Sequence, residues 1–96
     1  MGDKDAYQQK MQAQLDEWRA ELDRMRARMS GASADAKLEF EREAEVLEGK
    51  IEAGKKKLSE LGDASDHAWE SLKDGVESAW KSLKLAIGDA ASKFKR

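Results

Sequence analysis

The chain has 96 residues and contains no cysteine, no proline and one histidine. Without cysteine there is no disulfide framework, no zinc-thiolate centre and no cysteine nucleophile. Apolar residues never run beyond two or three in succession, so the sequence offers neither a membrane-crossing helix nor a signal-peptide apolar region. Met1-Gly2 does not open a myristoylation motif, because residue 6 is Ala where Ser or Thr is expected. There is also no excess of one charge: 18 Lys and Arg face 20 Asp and Glu, a formal net charge of −2. A dedicated nucleic-acid binder would normally carry a basic surplus. The size fits one helical domain, residues 1–96, with a modest core.

What is present favours helix nearly throughout, being rich in Ala, Glu, Lys, Leu and Arg. Apolar phase divides it. Met11, Leu15, Trp18, Leu22, Met25 and Met29 alternate in steps of four and three, with Tyr7 one turn earlier. This is a heptad seam. Phe40, Ala44, Leu47, Ile51, Leu58 and Leu61 form a second seam, interrupted at Gly54. Continuing the first seam in sevens would place Glu39 and Glu43 in the core, so the phase shifts between Met29 and Phe40. Ser30-Gly31-Ala32-Ser33 lies there, Gly31 reading as a helix end in the left-handed region and Ser33 as the next N-cap. The alternative is one continuous helix carrying a skip residue. At the second break Gly62 reads as a C-terminal cap, with Asp63 or Ser65 as the following N-cap.

Beyond residue 65 the period changes. Ala68, Trp69 and Leu72 recur as Ala79, Trp80 and Leu83, and again as Ala90, Ala91 and Phe94. An 11-residue repeat is close to the natural helical period and gives a nearly straight helix. Three helices at about 3–30, 33–61 and 65–94 follow. End charges agree: Asp3 and Asp5, Asp35 and Glu39, and Asp63 and Asp66 open the segments. Arg24, Arg26 and Arg28, then Lys55, Lys56 and Lys57, then Lys93 and Lys95 close them. The expected fold is all-α: an antiparallel coiled-coil hairpin, its core built from Met11, Leu15, Trp18, Leu22, Met25, Phe40, Leu47, Ile51 and Leu58, with a third amphipathic helix packed along it.

Little in the sequence speaks for catalysis. His67 lacks an orienting partner in any visible constellation. Glu39 with Glu43, and Glu41 with Glu45, stand one turn apart, but no Glu-x-x-His pair accompanies them as a di-iron bundle would need. The glycines are scattered singly, which excludes a phosphate-cradling loop. The reading is therefore a non-enzymatic chain with no catalytic residue, metal, cofactor, nucleic acid or small-molecule substrate. The chemically informative element is the third helix, whose Trp69, Leu72, Val76, Trp80, Leu83, Ile87 and Phe94 form one apolar stripe. This interaction surface either docks on the hairpin or meets a membrane. The membrane alternative draws on residues 78–96, where Lys81, Lys84, Lys93, Lys95 and Arg96 oppose Asp89 alone, a net +4. Narrow seams on a chain this short also predict a weakly held homo-oligomer, or a protein partner.

Asp-Lys-Asp-Ala-Tyr at 3–7, Gln-Leu-Asp-Glu-Trp at 14–18, Ala-Trp-Glu-Ser-Leu-Lys at 68–73, Glu-Ser-Ala-Trp-Lys-Ser-Leu-Lys at 77–84 and Ala-Ser-Lys-Phe-Lys at 91–95 carry a resemblance. Together they resemble a family of small bacterial coiled-coil proteins known as stress-response proteins after a cyanobacterial member. The resemblance implies a cytoplasmic, non-enzymatic bacterial protein linked to stress, and supplies no catalytic residues. By analogy of period alone, the third segment also resembles the 11-residue repeats of late-embryogenesis-abundant proteins and exchangeable apolipoproteins.

Overall fold

The computed structural model describes residues 2–95. It is an all-α bundle of three helices: α1, Asp3–Arg28; α2, Ala34–Gly62; and α3, Asp66–Lys93. They run alternately up and down in a rod of 51 × 19 × 17 Å. Between α1 and α2 the chain makes one 3-10 turn, Met29–Gly31, then Ala32 is extended. The phase shift between the two seams is thus a chain reversal and not a skip residue.

Serine hydroxyls start the second and third helices. Ser33 accepts from the Ala36 N–H at 3.2 Å and Ser65 from the Ala68 N–H at 3.3 Å, each satisfying one of the orphan donors of a first turn. The glycine ends differ from expectation. No glycine among the described residues has positive φ. Gly31 belongs to the 3-10 turn, where the Ala32 N–H bonds the Met29 carbonyl at 3.0 Å. Tighter bonds of this kind satisfy terminal carbonyls without a left-handed residue. Gly62 is the last residue of α2, and the right-handed Asp63 caps it through N–H bonds to Ser59 and Glu60. Since α2 continues to Gly62, Lys55, Lys56 and Lys57 fall more than a turn short of its end, and its last turn holds no basic residue.

The core is continuous along the rod and every residue of it is apolar. From the hairpin, Met11, Leu15, Leu22, Met25, Phe40, Leu47, Ile51 and Leu58 are buried. Trp18 is only half-buried, and its ring contact is with Trp80 of α3, at 6.3 Å between centroids. It therefore joins α1 to α3.

Helices α1 and α3 run parallel at a fixed offset: Lys4 meets Asp66, Tyr7 meets Trp69 and Trp18 meets Trp80, each pair 62 residues apart. Ion pairs reinforce the lateral seams. Arg19–Glu52 at 2.5 Å and Arg26–Glu41 at 3.3 Å link α1 to α2. Lys93 bridges Glu39 at 2.9 Å and Glu43 at 2.8 Å, tying the basic end of α3 to the acidic start of α2. All are exposed pairs, worth about 0–1 kcal/mol each, so they set register while apolar burial supplies stability.

Candidate functional site

The stripe on α3 is turned inward. Trp69, Val76, Trp80, Leu83, Ile87 and Phe94 are buried in the bundle, with Ala90 beside them. Leu72 departs from this set, being 39% exposed. Its place in the register explains why. Gly54 lies against Trp80 and Phe40 against Phe94, which sets Leu72 level with Gly62, the last residue of α2. Nothing of α2 extends far enough to cover it.

Trp80 is the centre of the packing. Its indole fills the gap that Gly54 leaves in the second heptad seam: a Cβ at Gly54 would stand 3.2 and 3.3 Å from two ring carbons of Trp80 and 3.4 Å from Leu15. The Nε1–H donates to the Met11 carbonyl at 3.2 Å, so the one polar atom of this buried ring is satisfied. The interruption at Gly54 is thus a socket for a ring from the third helix. Sequence periodicity exposed the gap but could not name its occupant.

Each end of the stripe has its own aromatic closure. Trp69 meets Tyr7 edge-on at 6.0 Å, under the Lys4 ammonium at 4.9 Å from the ring centroid. The Tyr7 hydroxyl donates to Glu77 at 3.0 Å. Partial burial, then the Glu77 hydrogen bond and the charges of Glu77 and Asp74, push the Tyr7 phenol up to about 12. At the other end Phe94 meets Phe40 edge-on at 5.2 Å. A side chain of α1 also ties onto the end of α2: Gln8 donates from Nε2 to the Leu58 carbonyl at 3.1 Å. The same amide lies 2.9 Å from where a Gly62 Cβ would stand.

With the stripe internal, the outward surface differs from the sequence expectation. The exposed large aliphatics are Leu38, Val46, Leu72 and Leu85. Val46 borders a groove of about 460 Å³ between α2 and α3, together with Arg42, Lys50, Ala86, Asp89 and Lys93. Neither Val46 nor Leu85 belongs to a seam, so periodicity gave no signal for them. His67 is exposed, and no three of His, Cys, Asp or Glu among the described residues could hold a metal ion together. No helix among them is long and apolar enough to cross a membrane.

The fold and this surface define a class, the three-helix bundle whose apolar residues are mostly spent internally and whose outer grooves are shallow. The chain matches no protein-family model, no curated protein and no solved structure.

Proposed function

We propose that this chain is a non-enzymatic coiled-coil stress-response protein, bacterial and cytoplasmic, that acts through protein–protein contacts as a scaffold or stabiliser. The observation that supports the reading is the apolar-floored α2/α3 groove, bordered by the exposed Val46 and lined on its rim by Arg42, Lys50 and Lys93. A groove of that kind suits a protein segment better than a small polar ligand, since Val46, Leu47, Ala86 and Ala90 line it and its Lys93 is already engaged by Glu43. The test is light scattering from a heat-labile client protein with and without the bundle. Wild type should suppress aggregation, and Val46→Glu should lose that effect while keeping its helical content. Equal scattering with wild type and with no added protein would count against the reading.

A second reading, contact with an anionic membrane surface, is favoured by one feature. Lys81 and Lys84 on α3, and Lys95 just beyond its end, are exposed and form no ion pair among the described residues. With Trp69 and Trp80 buried, this contact would rest on charge alone or need α3 to undock. Co-sedimentation with phosphatidylserine vesicles, lost at raised salt, would mark it.

A further inference from the structure

We propose that the side of α3 facing away from α1 is a two-fold interface, and that a second copy of this chain occupies it. The inference rests on the reading of the bundle as a protein-contact module and names the partner. Three observations carry it. Leu72 and Leu85 are 39% and 62% exposed on α3, with nothing in the bundle to cover them. Between them Ser71, Gly75, Ser78, Ser82 and Ala86 recur in steps of three and four, so this side carries no charge from residue 71 to 86. A Cβ at Gly75 would meet no atom within 4 Å, which leaves room for close approach of another helix.

The arrangement is self-complementary. Consider two copies of α3 packed antiparallel about a two-fold axis passing between Ser78 and Ala79. Gly75 of one copy then faces Ser82 of the other, and Ser71 faces Ala86. Leu72 comes level with the partner's Leu85 and one residue, about 1.5 Å, from the level of its Ala86, where the groove beside Val46 and Ala86 is open to receive an aliphatic side chain. By symmetry the same contact forms twice, as an isologous interface requires. On the outer border Asp74 and Lys81 lie on one side of α3, seven residues apart, and neither forms an ion pair among the described residues. The same axis brings Asp74 of each copy beside Lys81 of the other. Charge complementarity of this kind sets orientation and register more than affinity. A parallel two-fold would instead put these residues of the two copies on opposite borders of the interface, so that neither Asp74 meets a Lys81.

Sedimentation velocity into the high-micromolar range tests the proposal. Wild type should dimerise, and Leu85→Glu should weaken association by roughly tenfold or more with an unchanged helical spectrum. Asp74→Lys should also weaken it, and Asp74→Lys together with Lys81→Asp should restore it. Because the chain has no cysteine, Ser78→Cys near the axis should form an intermolecular disulfide under mild oxidation, and Ala13→Cys on α1 should not. A monomer at every concentration overturns the proposal while leaving client protection to be judged on its own. A dimer indifferent to Leu85→Glu, or linked through Ala13→Cys and not Ser78→Cys, overturns it as well, by assigning the interface to another face.

Discussion

Gly54 and Trp80 form a socket and plug: the indole occupies the space that any side chain at residue 54 would need, and its N–H is held by the Met11 carbonyl. Replacing a helical glycine by alanine usually gains about 1 kcal/mol. Here the added methyl meets a ring that is buried and hydrogen-bonded, and overpacking typically costs about 1–3 kcal/mol. Gly54→Ala should therefore lower the melting temperature. Trp80→Ala should cost about 3–5 kcal/mol. In the Trp80→Ala background the sign should invert, with Gly54→Ala becoming neutral or stabilising. A double-mutant cycle by thermal denaturation reads this directly, and additive effects would refute the socket.

Gly49 and Gly88 are the opposite case. A Cβ at either meets nothing within 4 Å, and both lie inside helices. Alanine at each should stabilise by about 1 kcal/mol, or roughly 4–8 °C in a chain of this size. Being on different helices, the two gains should add. If neither substitution raises the melting temperature, helix propensity is not what limits stability at these sites.

Docking of α3 can be tested at its aromatics. Trp69→Ala combined with Trp80→Ala should lower thermal stability steeply, because both rings are buried. An unaltered melting curve would mean that α3 is a free arm.

The serine caps are separable from the core. Ser33→Ala and Ser65→Ala each remove one hydroxyl acceptor and should cost about 1 kcal/mol. Threonine or aspartate at the same positions should recover most of the loss. Urea denaturation with unchanged slope would show that only the caps were touched.

Tyr7 gives the chain an alkaline sensitivity. Its phenol titrates near 10.0 when unfolded and is pushed up to about 12 in the bundle, so the folded state holds the proton more tightly. Stability from this group is fully present below pH about 10 and is lost as pH rises from there toward about 12. Tyr7→Phe should be less stable than wild type at neutral pH and should flatten that part of the profile. A profile that keeps the same alkaline slope in Tyr7→Phe would assign it to other groups.

The fold was largely legible because it depends on phase. The charged residues that a continued first seam would bury, Glu39 and Glu43, located the reversal, and Ser33 and Ser65 stood where orphan N–H groups needed an acceptor. The glycines depart from the sequence expectation for a physical reason. A glycine can be required by conformation or by a neighbour's volume, and sequence does not distinguish the two. Gly62 yields space to Gln8 and Gly54 to Trp80, both contacts between residues distant in sequence. Spacing alone places Leu72 on the stripe, and its exposure follows from where α2 stops. The outward groove was invisible for a related reason: Val46 belongs to no repeat and acquires meaning only beside Ala86.

The 62-residue offset between α1 and α3 also bears on how the bundle assembles. Contacts of α2 with either neighbour close through short connections, whereas α1 meets α3 only across the whole length of α2. Loop-closure entropy makes nearby contacts cheaper to form first. The expectation is that the near-ultraviolet signal of the Trp18–Trp80 pair develops after the helical signal of the two hairpins, and stopped-flow circular dichroism at the two wavelengths checks it.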